Sequence, residues 1–190
     1  LEKPACTINV QQDYDSLSHT GAKIVVDSIL NSLSKKDSVV LVPSAGKTPT
    51  TMYRILATQY RDVIAWERVE VWQMDEYIGM ASTHPNSMAN YLLKELVYPL
   101  GIKKFVTLND LKGDLCQTPI EYEKKLLEKG GIDLVIHGLG RNGHIGFNEP
   151  GSDWLSETRV VSLHEATLEA NFSGSDIKLR EKYVNAVTLG

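Results

Sequence analysis

Apolar residues recur along this chain at two spacings, one typical of helices and one typical of short buried strands. From Tyr14 to Lys36 they recur at helical spacing, which predicts a long amphipathic helix. The run 37–43 that follows is short and rich in β-branched residues, and the turn-forming stretch 44–49 ends it. Thr48 then fits the cap of a second helix, and Pro49 fits its first position.

The same alternation of strand and helix continues to residue 136. The remaining predicted elements are strands at 69–74, 105–108 and 132–136, a loop at 75–86, and helices at 88–97 and 118–129, the latter capped by Thr118. Such alternation requires right-handed crossovers between parallel strands. We therefore expect an α/β fold, a three-layer, doubly wound, mostly parallel sheet of the Rossmann-like type, in which the strand 132–136 is buried.

The last residues, Val187–Gly190, have the pattern of a strand that is just beginning, and no closing helix follows them. A fold that ended there would leave a sheet edge uncovered. We therefore expect residues 1–190 to form a single domain that lacks its C-terminal strands and helices.

Composition narrows the class of protein. Of the 190 residues 42% are hydrophobic and 23% are charged, and the net charge is −4 at pH 7, which is typical of a globular protein and not of a nucleic-acid binder. No segment has the length and hydrophobicity of a signal peptide or a membrane span, so we expect a cytoplasmic protein without a membrane partner. Cys6 and Cys116 form no CxxC pair and suggest neither a disulfide framework nor a zinc site.

The turn at 44–49 joins a predicted strand to a helix N-terminus, where free backbone N–H groups favour an anion. Ala45, Gly46, Lys47 and Thr48 are therefore candidate phosphate-binding residues, with a plain capped turn as the alternative. A nucleotide P-loop is excluded, because that motif needs a further glycine where this chain has Leu41.

A second glycine-rich stretch, residues 138–143, satisfies the G-x-G-x-x-G pattern of dinucleotide-binding proteins. That pattern requires a helix to begin within it, whereas residues 147–151 would break any helix here. We therefore expect no nucleotide cofactor. No recurring ligand spacing links the histidines His19, His84, His137 and His164, so we expect no metal.

Acid–base groups follow two of the predicted strands. Asp75 and Glu76 come at the end of one strand, and only one of them can face a common crevice because successive strand residues alternate. His144 and Glu149 lie in the loop after another strand. Each residue alone has an ordinary structural explanation, but together with a phosphate turn on the same rim they supply an acid, a base and an anchor.

Three motifs together resemble the glucosamine-6-phosphate deaminase/isomerase family. They are a phosphate loop ending Gly46–Pro49, the Met74–Tyr77 element and the loop Gly143–Pro150, in the family's order. The resemblance implies opening of the sugar ring, proton transfer from C2 to C1, and loss of ammonia to give a ketose 6-phosphate, without a cofactor.

The resemblance also implies roles for individual residues. Asp75 corresponds to the base that moves the C2 proton, His144 to the group that acts on the ring oxygen, and Glu149 to the carboxylate that orients this histidine. Glu76 and Gly140 join the phosphate turn as predicted substrate-binding positions. Homo-oligomers occur in the family, so a homo-oligomer is a further expectation.

The chain departs from the family in two places. Asn142 stands where the glucosamine enzymes commonly have an aspartate, so we count it among the catalytic residues as a differently tuned member. Residues 172–175 stand where those enzymes have a phosphate-binding arginine, a loss for which Lys47 could compensate. Both differences resemble the galactosamine-6-phosphate branch, and the sugar epimer stays open.

Two other functions are compatible with parts of the pattern. A 6-phosphogluconolactonase would share the phosphate turn and the glycine–histidine loop, but the Met74–Tyr77 element and Asn148–Pro150 favour the deaminase. A non-catalytic sugar-phosphate sensor would need an effector-linked DNA-binding motif, and the sequence contains no basic helix-turn-helix.

Overall fold

The computed structural model describes residues 6–108, 117–172 and 177–190. Its strands are β1 (Val39–Val42), β2 (Val69–Trp72), β3 (Asp75–Tyr77), β4 (Lys104–Val106), β5 (Leu134–Val135), β6 (Arg159–Ser162) and β7 (Asn185–Thr188). Its helices are α1 (Tyr14–Leu33), α2 (Thr50–Gln59), α3 (Met88–Leu92), α4 (Tyr98–Leu100), α5 (Gln117–Glu128), α6 (Glu165–Asn171) and α7 (Ile177–Lys182). A π-helical turn, Leu93–Val97, joins α3 to α4, and a 3-10 turn, Trp66–Arg68, precedes β2.

The central sheet is parallel and has the strand order β4-β2-β1-β5. On one face, Leu41 and Val71 pack with residues of α1, α2 and the α3–α4 segment. On the other face, Val42 and Trp72 pack against Tyr122 of α5. Both faces of β1 and β2 are therefore covered, and the predicted three-layer α/β fold is confirmed.

A second, antiparallel sheet has the order β3-β7-β6. It overturns one expectation, since Asp75–Tyr77 is a strand and not the start of a loop. The predicted strand at Val187–Gly190 is confirmed with shifted bounds, since β7 runs from Asn185 to Thr188 and is the central strand of this sheet. An aromatic cluster of Tyr77, Phe147, Phe172 and Tyr183 packs beside it. Neither β6 nor this antiparallel pairing is visible in the apolar periodicity, because the paired strands are short and distant in sequence.

Several predicted features of the helices and strands also differ from the structure. Pro49 and not Thr48 occupies the cap position of α2, without a side-chain hydrogen bond, and Thr118 lies inside α5 instead of capping it. Ile132 and Val135 are 42% and 37% exposed, so the expectation of a buried strand is wrong for β5. Among the described strands β5 has only β1 as a neighbour, which leaves its other edge open.

Two general features bear on the sequence expectations. Of the helices in the described part of the chain, none combines the length and the hydrophobicity that crossing a membrane would take. Cys6 is an exposed free thiol, and Cys116 lies outside the described residues.

Candidate active site

Three loops meet at one edge of the central sheet because they follow three neighbouring strands. β2 leads to Asp75, β1 leads to the turn at 44–49, and β5 leads to the loop at 138–150. These strands are parallel and lie side by side in the order β2-β1-β5. The common rim predicted for the candidate residues is therefore confirmed, at the carboxyl ends of strands where ligands bind in open α/β sheets.

Tyrosine hydroxyl groups from three helices hold the turn at 44–49. They are Tyr14 on the Thr48 carbonyl at 2.8 Å, Tyr53 on the Ser44 carbonyl at 2.7 Å, and Tyr91 on the Thr50 hydroxyl at 2.9 Å. The apolar pattern gives no sign of this role, since the tyrosines occupy ordinary positions in amphipathic helices. Two of these hydrogen bonds end on backbone carbonyls of the turn, and the third holds Thr50, which directly follows it.

The opposite side of this turn is open. No described residue accepts a hydrogen bond from the backbone N–H groups of Ala45, Lys47 or Thr48, while the N–H of Gly46 faces the Tyr91 hydroxyl. The Lys47 side chain is exposed and forms no ion pair within the described residues. Free N–H groups, a cation and the N-terminus of α2 together make a cradle suited to an anion.

Asp75 is the first residue of β3 and is 9% exposed. Burial, with a smaller contribution from the neighbouring Glu76 charge, raises the pKa of Asp75 to about 7. No described residue donates a hydrogen bond to its carboxylate. Near neutral pH this group can therefore both accept and return a proton.

Glu76 points away from this rim and is 3% exposed. Its two oxygens accept hydrogen bonds from the side chains of Gln73 (3.0 Å) and Ser87 (2.6 Å) and from the backbone N–H groups of Tyr77 (3.0 Å), Met88 (3.3 Å) and Ala89 (3.1 Å). The carboxylate thus sits at the N-terminus of α3, where the helix dipole favours a negative charge. These contacts give Glu76 a structural role at the start of α3, whereas its substrate contact stays a prediction.

Two glycines allow the loop at 138–150 to approach its neighbours closely. A Cβ atom at Gly140 would collide with the imidazole of His144, so a side chain there would displace that ring. Gly146 has a φ of +60°, and an added Cβ would lie 3.5 Å from Oδ2 of Asp75. The loop therefore brings its backbone directly against the Asp75 carboxylate, whereas a substrate contact of Gly140 stays a prediction.

Within this loop His144, Asn142 and Glu149 form a hydrogen-bonded chain. Nδ1 of His144 lies 2.7 Å from Oδ1 of Asn142, and Nδ2 of Asn142 donates to Oε2 of Glu149 at 2.7 Å. Nδ1 and Glu149 Oε2 are 3.8 Å apart. The three predicted residues are therefore brought together, with the amide placed between the imidazole and the charge.

Opposing effects act on the Glu149 carboxyl. Burial raises its pKa, but hydrogen bonds from Thr167, Asn142 and the backbone N–H of His164, together with the nearby His144 ring, outweigh burial and hold the pKa below its ordinary value. Glu149 is consequently a carboxylate near neutral pH.

Thr167 completes this group, and the sequence analysis missed it. Its side chain is buried, at 1% exposure, and its hydroxyl lies 3.2 Å from Nδ1 of His144. It belongs to α6, an element that the apolar pattern did not reveal.

A cleft of about 580 Å³ lies along the outer side of the same loop, among Ile132, Val135 and Trp154. Glu149 and Gly146 line it, but Asp75, His144 and the turn at 44–49 do not, so its volume does not describe the space between the candidate groups. In residues 6–108, 117–172 and 177–190 no three His, Cys, Asp or Glu side chains converge as metal ligands. Of the segment 172–175, where the family arginine is missing, residues 173–175 lie outside the described residues.

Comparison with known proteins links the chain to one family. A family model described as glucosamine-6-phosphate isomerases/6-phosphogluconolactonase matches residues 12–171. Glucosamine-6-phosphate deaminases of Cellvibrio japonicus and Shewanella halifaxensis are 36% and 37% identical over 79% and 86% of the chain. The chain spans 58% and 62% of the length of these two relatives.

Solved structures agree with this link. A structure described as a monomeric glucosamine-6-phosphate deaminase matches with a TM-score of 0.85 and 33% identity, covering 95% of this chain and 74% of that one. A 6-phosphogluconolactonase from Thermotoga maritima matches with a TM-score of 0.73 and 20% identity, covering 96% of this chain and 76% of that one, which is a likeness of fold alone.

The raised pKa of Asp75 predicts a specific pH dependence of stability. A carboxyl whose pKa is higher in the folded state (about 7) than its ordinary 3.8 stabilises the fold fully below pH 4, and this contribution is lost as pH rises through 7. Asp75→Asn should therefore increase the free energy of unfolding at pH 8 by up to about 4 kcal/mol relative to the original protein, and the difference should vanish near pH 4.

Urea unfolding at pH 4, 6 and 8 measures this difference. The exposed Asp62→Asn is the matched control and should show a difference from the original protein that does not change with pH. A pH-independent effect of Asp75→Asn would contradict the raised pKa.

Proposed function

Because the chain belongs to the family of glucosamine-6-phosphate isomerases and 6-phosphogluconolactonases, we propose that it is an amino-sugar-6-phosphate deaminase. It converts glucosamine 6-phosphate or galactosamine 6-phosphate, with water, into the ketose 6-phosphate and ammonia. This reaction is a step of amino-sugar catabolism, and the protein acts on a small phosphosugar without a metal or an organic cofactor.

The observation that carries the proposal is the state of Asp75. Its carboxyl is buried, accepts no hydrogen bond from any described residue, and has a pKa of about 7, while Gly146 of the His144 loop lies directly against it. Removing a proton from a carbon atom next to a carbonyl requires a base of this kind, since one carboxyl group must take the proton and give it back near neutral pH. The neighbouring Glu76 carboxyl is already engaged by hydrogen bonds from Gln73 and Ser87, so it is unsuited to that role.

His144 acts first, on the sugar ring. Nδ1 of its imidazole faces Asn142, which leaves Nε2 for the substrate. Nε2 takes the proton of the C1 hydroxyl and delivers it to the ring oxygen as the bond between C1 and that oxygen breaks. The products of this step are an open-chain aldehyde and the same neutral imidazole.

Asp75 acts second, on the open chain. It removes the proton from C2 while the carbonyl oxygen on C1 takes a proton from water, which gives an enolamine. It then returns the C2 proton to C1 while the amino group gives one N–H proton back to water, which leaves a C1 hydroxyl and an imine at C2. Water hydrolyses the imine to the ketone and releases ammonia. Asp75 ends in its starting state, so no other acid or base is consumed.

The turn at 44–49 anchors the phosphate of the substrate. Three tyrosines fix the turn, and the free N–H groups of Ala45, Lys47 and Thr48 with the Lys47 ammonium supply the donors. This anchor holds the sugar over the carboxyl ends of β1 and β2, where the Asp75 carboxyl lies. We also propose residues 1–190 as a single domain, a cytoplasmic location and a homo-oligomer, the last to be tested by the mass of the protein in solution.

The test of the proposed function is release of ammonium from glucosamine 6-phosphate and, separately, from galactosamine 6-phosphate, with identification of the ketose phosphate. We expect release from at least one of them, and the better substrate identifies the C4 epimer. Release from neither contradicts the proposal. Hydrolysis of 6-phosphogluconolactone would then indicate the lactonase alternative, and sugar-phosphate binding without turnover would indicate a sensor.

Asp75→Asn should lower kcat by at least about 100-fold, because an amide of the same shape cannot accept the C2 proton. The Michaelis constant should change little, since the phosphate anchor is intact. Steady-state ammonium release measures both constants, with Asp62→Asn as the control that keeps full turnover. Unchanged kcat in Asp75→Asn would remove this residue from the mechanism.

Lys47→Ala should raise KM roughly tenfold and leave kcat within about twofold, because a phosphate contact is made equally in the ground state and the transition state. The same assay over a range of substrate concentrations separates the two effects. Lys124→Ala, on the exposed surface of α5, is the control and should change neither constant. A loss of kcat at constant KM would be inconsistent with a phosphate anchor at Lys47.

A further inference from the structure

Among residues 6–108, 117–172 and 177–190, no carboxylate oxygen lies within hydrogen-bond distance of the His144 imidazole. The Glu149 carboxylate lies beyond that distance, with its Oε2 3.8 Å from Nδ1. Two neutral side chains lie beside this pair: Asn142, which lies 2.7 Å from each group, and Thr167, whose hydroxyl lies 3.2 Å from Nδ1 and helps to hold the pKa of Glu149 below its ordinary value. These two side chains determine whether Nδ1 carries a proton.

The orientation of the Asn142 amide follows from Glu149. A carboxylate only accepts hydrogen bonds, so the amide must direct its Nδ2 group toward Glu149 and its Oδ1 atom toward His144. Oδ1 also lies 3.3 Å from the backbone N–H of His144, which is a donor in every state of the protein. An amide oxygen can only accept, and Nδ1 must therefore carry a proton.

The Thr167 hydroxyl also favours a proton on Nδ1 of His144, for a separate reason. It has one proton, and the ionised Glu149 is the stronger of its two possible acceptors. With that proton directed to Glu149, an oxygen lone pair faces Nδ1 and accepts a second, longer hydrogen bond from it. Because Thr167 is 1% exposed, bulk water has little access to replace either interaction.

We propose that Thr167 is a positioning residue that, together with Asn142, holds His144 in the Nδ1–H tautomer and leaves Nε2 free to accept a proton from the substrate. This inference rests on the proposed function for the role of Nε2, whereas the tautomer is a property of the protein alone. When Nε2 takes the C1 hydroxyl proton, Nδ1 keeps its own, and the Glu149 charge stabilises the resulting imidazolium through two neutral hydrogen-bonded neighbours.

The test distinguishes the effect of the Thr167 hydroxyl from the effect of the side-chain volume. Thr167→Val keeps the shape and removes the hydroxyl, and Thr167→Ser keeps the hydroxyl and removes a methyl group. We expect Thr167→Val to lower kcat roughly tenfold with little change in KM and Thr167→Ser to restore most of it, since the hydroxyl and not the packing positions the ring. Thr158→Val is the matched control, because Thr158 is equally buried and its hydroxyl has no partner among the described residues.

A second readout needs no catalytic activity. Nitrogen-15 NMR of the full chain with labelled histidine reports the tautomer of His144, assigned by its loss in His144→Gln. We expect Nδ1–H in the original protein and a shift of roughly fivefold toward Nε2–H in Thr167→Val, the equivalent of one lost hydrogen bond. Nδ1–H should be retained in Thr167→Ser and Thr158→Val.

Three results would overturn the inference: an Nε2–H tautomer in the original protein, a Thr167→Val protein indistinguishable from Thr158→Val, or a Thr167→Ser protein more impaired than Thr167→Val. If Thr167→Val does not fold, the tautomer of the original protein and the kcat of Thr167→Ser still test the inference, because an Nε2–H tautomer or a loss of roughly tenfold in the kcat of Thr167→Ser would overturn it. If no sugar phosphate is turned over, the NMR result still decides the tautomer, so the two proposals can fail separately.

Discussion

A buried amide, Gln73, holds the point where the chain leaves one sheet and enters the other. It is fully buried, and its side chain donates to the Asp75 carbonyl at 2.9 Å and accepts from the Leu108 N–H at 2.8 Å. Its own carbonyl accepts from the Tyr122 hydroxyl at 2.8 Å, and its Nε2 also reaches Glu76. Every one of these groups would be costly to leave unpaired in the interior, so the network permits a single path for the chain.

That path decides which carboxyl group faces the rim. Only two residues separate β2 from β3, and successive residues of β3 point to opposite faces, so Asp75 faces Gly146 while Glu76 faces the N-terminus of α3. A slip of one residue would exchange them. Asp75 would then meet the hydrogen-bond donors that now surround Glu76, and Glu76 would face the rim in its place. The chemistry proposed for Asp75 therefore depends on the pairing of β3 with β7.

The sequence predicted the elements whose two faces are covered by helices, because such strands read as continuous apolar runs and their helices as amphipathic patterns. It did not predict β3 and β6 or their antiparallel pairing with β7, because these strands are short and pair across a long separation in sequence. The residues of the site were likewise predicted only in part. Asn142 and Glu149 share one loop with His144 and were found by their motif, whereas Thr167 reaches the site only through the packing of α6. Thr48 failed as a helix cap because a cap depends on local backbone angles that composition does not specify.

The two carboxyl groups at the rim differ in the number of donors around them, and this difference assigns their roles. Asp75 is buried without a donor among the described residues, which raises its pKa, and Glu149 is surrounded by donors from Asn142, Thr167 and the His164 backbone, which lower it. Environments that shift the pKa values of two carboxyl groups in opposite directions make one group a proton carrier and the other a fixed charge. Asn142 lies between this fixed charge and the imidazole, so Glu149 orients the amide and the amide in turn orients Nδ1 of His144.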